Sequence, residues 1–357
     1  MVSLCATILV ASSPAADLPM PVLRAETDWM YLPDGLMLGD VSAVAVDRQD
    51  HVWVLHRPRS LSEEDRGRAA PPVLEFDSEG QYMGGFGGPG PGYDWPSVEH
   101  SLAVDSNDRV WIGGSFRGSE GPADDMLLAF QKDGRFVLQI GHPGESGGNS
   151  DVSNLHAPGD IFIDDETNEA YAADGYGNQR LIIFDSLTGE YRRMWGAFGG
   201  TPLATAIPDL VGASDPDHPF DEHGPSTFDG VHGVEVSRDG LVYVSDRNNR
   251  RIQVFSRQGN YLDQTFVSHG SEARQTAAGL AFSIDQNQRY LYVADWGNNR
   301  LLVYDRRRLL LLGSFGEAGA EVGQFRGPHL IATDSLGRIF VAEVQGRRVQ
   351  RLTVTEP

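Results

Sequence analysis

Short apolar runs separated by Asp, Asn and Gly recur along most of this chain, and the clearest set lies in Phe228–Phe255, FDGVHGVEVSRDGLVYVSDRNNRRIQVF. Val234–Val236 and Leu241–Ser245 are predicted strands, joined at Asp239-Gly240, where glycine takes the positive φ that a tight hairpin demands. Ile252–Phe255 is a third strand, after an Asp-Arg-Asn-Asn-Arg turn, and Tyr261–Phe266 a fourth. The first strand of this unit ends at Ser237 as VEVS, and five further copies end at Asp47 (VAVD), Asp105 (LAVD), Asp164 (IFID), Asp285 (FSID) and Asp334 (IATD). Successive spacings of 58, 59, 73, 48 and 49 residues leave a shared core of roughly 45 residues with loops of varying length. Four short strands per repeat, six times over, predict an all-β fold, a six-bladed β-propeller.

The last copy shows only three strands, Leu330–Thr333, Ile339–Ala342 and Val349–Leu352. A propeller must close its ring, and the extended segment Thr27–Leu32 is predicted to add the missing outer strand. Residues 27–357 then form one propeller and 1–26 a leader. Leu4–Ala11 is apolar and followed by small residues, as in a secretory signal, although the basic start is missing. That leader would send the protein out of the cell or into the periplasm. Four polar inserts rich in Gly and Pro, Pro58–Pro72, Gly84–Pro96, Gly141–Ser153 and Gly199–Ser226, lie between strands. At least one is expected to overhang the channel mouth. The turns Asp174–Arg180, Asp246–Arg251 and Asp295–Arg300 are read as structural, with Asp tying down the turn and Arg pairing with it.

Charge narrows the partners. The chain carries 29 basic and 50 acidic residues, a formal net charge of −21, and nucleic acid or an anionic membrane demands a basic footprint instead. No run of 18 apolar residues predicts a membrane span. Cys5 is the single cysteine, so the propeller itself can build no disulfide and no thiolate metal site. The chain is expected to act as a monomer.

Placing the ten histidines on the repeat brings out the chemistry. His100, His232 and His329 each lie five residues before the anchor of their copy, in blades two, four and six; Ser42, Gly159 and Leu280 hold that register in the others. The register is the entrance of the innermost strand, so alternate blades aim three imidazoles at one point in the channel. Three neutral imidazoles with a fourth position open describe a catalytic Zn2+ site. The second strand of each blade runs back to the same face. It brings Arg57 of VLHRP, a permanent cation suited to a carboxylate, and Tyr176 of DGYGNQR, a phenol placed for proton transfer.

These residues carry a family resemblance. The blades look like NHL repeats, and over roughly Asp28–Leu352 the chain resembles the catalytic domain of peptidyl-α-hydroxyglycine α-amidating lyase. The zinc histidines of that family match His100 in EHSLAVD, His232 in VHGVEVS and His329 in PHLIATD; its catalytic Arg matches Arg57 and its catalytic Tyr matches Tyr176. There are departures. Leu330 stands where the family has an Asp that helps hold calcium, which argues against calcium here, while Gly327 replaces a Met and Gly177 a Cys. The resemblance implies zinc-dependent cleavage of a small or peptidyl α-hydroxyglycine into an amide and glyoxylate. The competing class is a non-catalytic NHL propeller that binds a protein or glycan, a module with no need of three histidines in register.

Overall fold

Six four-stranded antiparallel sheets hold the strands of the molecule, in which a computed structural model describes residues 18–26, 29–115, 121–202 and 224–355. Cys5, the apolar run Leu4–Ala11, and His218 and His223 of the longest insert lie outside the described residues. Innermost strands run Asp40–Val46, Glu99–Val104, Asp160–Asp164, Val231–Val236, Ala277–Phe282 and Pro328–Thr333 in blades one to six. Each lies beside the next, and the sixth returns to the first, so they enclose a central channel. No helix among the described residues is long and apolar enough to cross a membrane.

The apolar alternation buries blade against blade. Tyr171, Leu181 and Ile183 of blade three pack on Val234, Val242, Val244 and Phe255 of blade four, and equivalent clusters fill the other seams. Polar residues secure the turns. Asp47 accepts the backbone N–H groups of Gln49 and His51 and the indole N–H of Trp53. Asp105 does the same for Asn107, Arg109 and Trp111. The recurrent Asp at the end of the innermost strand therefore caps the hairpin that follows it. Where serine stands instead, Gly240 closes the turn at φ +80.

The second recurrent turn is also structural, as predicted. Arg180 reaches Asp174 and Arg251 reaches Asp246, both at 2.8 Å with no exposed side-chain surface; Arg300 reaches Asp295 at 3.0 Å. Blade six uses Glu343 and Arg348 in the same way, at 2.7 Å. Removing one partner of such a pair would strand a buried charge, at a cost of about 3–5 kcal/mol.

An N-terminal strand closes the ring, but it is not Thr27–Leu32. Val22–Glu26, placed in the leader by the sequence, pairs antiparallel with Arg348–Thr355, from Val22 opposite Thr355 to Glu26 opposite Arg351. The predicted segment has another task. Trp29 packs between Phe76 and Phe340 and donates its indole N–H to the carbonyl of Val349, which seals blade one against blade six. Thr27 and Asp28 lie outside the described residues, and Tyr31 of the same segment makes an isolated β-bridge to Gln81. Deleting residues 1–26 removes the outer strand and the buried Leu23. A loss of about 2–4 kcal/mol in unfolding free energy is expected, measured by urea denaturation. An unchanged midpoint would show that the strand is dispensable.

Candidate functional site: three histidines under a charged collar

Each histidine is the second residue of its innermost strand, and each sits where that strand breaks register. Pairing skips His100 between Glu99 and Ser101, His232 between Val231 and Gly233, and both His329 and Leu330 between Pro328 and Ile331. A β-bulge adds a residue to one strand and turns its side chain out of the ladder. Here the bulge directs imidazoles into the channel.

Every second nitrogen is held by the neighbouring blade. Nδ1 of His100 lies 2.7 Å from the carbonyl oxygen of Gly159, Nδ1 of His232 3.0 Å from that of Ala278, and Nδ1 of His329 2.5 Å from that of Ser42. A carbonyl only accepts, so each Nδ1 carries the proton and each Nε2 presents a lone pair. The three carbonyls come from the alternate blades, at the register of the histidines. That corrects one assignment: Ala278, not Leu280, holds the register in blade five. Its backbone pairing closes at Ser283, with Ser283 N–H donating to the Tyr290 carbonyl, so its first hairpin is longer than its neighbours'. Gly159 has to be glycine, since a Cβ there would come to 2.9 Å from the His232 Cα.

Ring centroids of His100, His232 and His329 are 4.8–5.2 Å apart, and one ligand nitrogen from each lies within 4.8 Å of the others. All three are buried. Burial, reinforced by Arg57, pushes His329 down to about 3; burial also holds His100, beside His329 and Arg57, and His232, beside Arg247, well below the ordinary imidazole value. The Tyr176 hydroxyl stands 2.9 Å from Nε2 of His100 and 3.1 Å from Nε2 of His232. It has one proton to give, against three converging acceptors. Such a donor-poor cluster of neutral imidazoles fits a metal ion, which satisfies all three lone pairs together.

Local sequence fixes the phenol. Gly175 and Gly177 flank it, and neither position has room for a side chain: a Cβ at Gly175 would lie 2.2 Å from backbone atoms of Val231, and one at Gly177 2.2 Å from the His156 ring. His156 is thus half-buried under the Tyr176 turn, and its backbone N–H donates to Asp174 at 2.7 Å. Arg57 ends the second strand of blade one, with Nε donating to the Glu99 carbonyl at 2.8 Å. Burial draws its proton affinity down, and Tyr176, Asp40 and Glu99 act in the opposite sense; a guanidinium stays charged throughout. His56 beside it is structural, accepting from Gly39 N–H at 2.9 Å while Nε2 faces the Pro71 carbonyl at 3.0 Å.

One residue of the collar escaped the sequence. Arg247, read as part of a structural turn, is buried with its guanidinium carbon 5.1 Å from the Tyr176 ring centroid and Nη1 3.3 Å from the hydroxyl. The repeat held the signal. Arg247 follows the turn Asp as Trp296 does in blade five, and Tyr176 is one residue further along in blade three.

The NHL repeat model matches residues 228–255, the stretch that carries His232 and Arg247. The chain is an NHL-repeat six-bladed propeller. This NHL propeller is 26% identical over 340 residues to NHL repeat-containing protein 3 of Homo sapiens, covering 92% of this chain and 83% of that protein. It is 23% identical over 327 residues to a probable peptidyl-alpha-hydroxyglycine alpha-amidating lyase of Caenorhabditis elegans, covering 87% and 82%. A streptogramin B lyase structure shares the fold, with a TM-score of 0.54 and 10% identity over 94% of this chain and 98% of the other.

Proposed function

We propose that this propeller is a zinc-dependent carbon–nitrogen lyase that splits an α-hydroxyglycine carbinolamide into an amide and glyoxylate. One observation carries the proposal: three buried neutral imidazoles converge with a phenol and two guanidinium groups at one mouth of the channel. Similarity to the Caenorhabditis elegans protein supports it. A binding propeller would have no use for a donor-poor triad of this kind.

His100, His232 and His329 would hold the ion, which when bound supplies a Lewis acid for a substrate oxygen. Arg57 and Arg247 engage the carboxylate of the hydroxyglycine and fix its orientation. The Tyr176 hydroxyl, beside Nε2 of both His100 and His232, relays a proton: its oxygen accepts the carbinol O–H proton as its own O–H proton passes to the leaving nitrogen. The O–H electron pair becomes the second bond of the aldehyde as the C–N bond breaks. Electrons of that bond pass to nitrogen, which takes the proton given up by Tyr176 and leaves as a primary amide. Substrate and products balance without water or an oxidant.

Protein supplied with zinc and given α-hydroxyhippurate should release glyoxylate and benzamide in equal amounts. EDTA should stop the release and added zinc restore it. Absence of glyoxylate from fully metallated protein would sink the lyase proposal.

A further inference from the structure

The collar above the triad is not uniform. On the side of His100 and His232 stand Tyr176 and Arg247, and Arg57 acts electrostatically on His100 and His329. On the side of His329 stands Trp296, with ring centroids 5.4 Å apart at 73°. Trp296 occupies the turn position that supplies Arg247 one blade earlier, and its backbone is pinned there by Trp296 N–H donating to the Thr276 carbonyl at 2.9 Å. One edge packs on the apolar seam of blades five and six, and the side chain as a whole is only half-buried. Four of the six tryptophans, Trp29, Trp53, Trp95 and Trp111, give their indole N–H to an acceptor. Trp296 gives its own to none among the described residues.

Beneath the indole lies Gly327, at φ +68, where a Cβ would come to 3.1 Å from the ring and 3.5 Å from Gln345. The glycine N–H donates to Asn299 at 2.8 Å, and no side chain at this position crowds the indole. The ring meets His329 in a T-shaped contact and stays half-exposed.

Resting on the lyase proposal, we infer that Trp296 is a specificity-determining residue: it stacks on the acyl group of the substrate and selects an aromatic or broad apolar acyl-hydroxyglycine over a small one. With the carboxylate held by the arginines and the reacting carbon over the triad, the acyl group extends along the wall that Trp296 forms beside His329. Trp296 offers it an aromatic face.

The test measures equilibrium binding of two unreactive ligands, benzoylglycine and acetylglycine, to zinc-loaded protein by calorimetry, alongside turnover of the corresponding α-hydroxy compounds. Wild type should bind benzoylglycine about 3- to 10-fold more tightly than acetylglycine, the range expected of one aromatic contact. Trp296→Ala should erase most of that preference and leave acetylglycine affinity and bound zinc unchanged. Trp296→Phe, which keeps an aromatic ring and guards against misfolding, should retain most of it. Equal weakening of both ligands in Trp296→Ala would make the residue a mere buttress for His329 and overturn the inference, as would a wild type without preference. Selective binding without turnover would sink the lyase proposal and leave this platform standing. Turnover without benzoyl preference would do the reverse.

Discussion

Replacing His232 with alanine should leave the propeller folded and strip it of nearly all bound metal. Wild type is expected to hold about one divalent ion per chain, measured by mass spectrometry after zinc supply and desalting. The imidazole belongs to no apolar cluster, and its tie across a seam is the one hydrogen bond to the Ala278 carbonyl. The fold therefore does not lean on the ion, and thermal unfolding of the metal-free variant should stay close to that of metal-free wild type. Two imidazoles without the third leave an open, weak site. Losing even an outer-shell partner costs a metal site about 10- to 100-fold in affinity, and losing a ligand should cost more. The wild-type site should also resist acid. Burial keeps the triad neutral well below the ordinary imidazole value, so proton competition begins only at lower pH. Metal content should be level from about pH 8 to 6, where an exposed histidine site titrates. Retention of metal by His232→Ala would mean that the ion sits elsewhere.

Tyr176→Phe is expected to lower kcat on α-hydroxyhippurate by roughly 10²–10⁴, the usual share of a positioned acid–base group. Phenylalanine keeps the ring between Gly175 and Gly177 and its packing against Arg247, and it removes only the oxygen that faces both histidines. Zinc content and KM should change little, because the phenol is neither a proposed ligand nor a contact to the carboxylate. Wild-type turnover in this variant would make Tyr176 a wall of the pocket and assign proton transfer to another group.

The blades and the triad were legible because both are local, periodic properties. A strand needs an apolar run, a hairpin needs Asp or Gly at its turn, and six such units in succession close only as a ring. Once the repeat is aligned, His100, His232 and His329 fall in one register, and Arg57 and Tyr176 fall on the same face. Arg247 was within reach of the same alignment. It was hidden by its surroundings, DRNNRR, in which the neighbouring Asp246 and Arg251 are indeed a structural pair.

Other features belonged to the tertiary structure alone. Val22–Glu26 rather than Thr27–Leu32 closes the ring, because two extended segments of similar length compete for one sheet edge and the winner is set by where Trp29 must pack. Ala278 rather than Leu280 matches the histidines, since a longer hairpin shifts the register without leaving a mark on the apolar pattern. The carbonyls that fix each Nδ1 come from residues 42, 159 and 278, distant in sequence and of no chemical distinction. Periodicity and residue chemistry set the repeat, its strands and the chemical types gathered at one end of the channel. Which nitrogen points inward, which turn completes the collar and which strand seals it were decided by contacts between blades, whose partners no local pattern encodes.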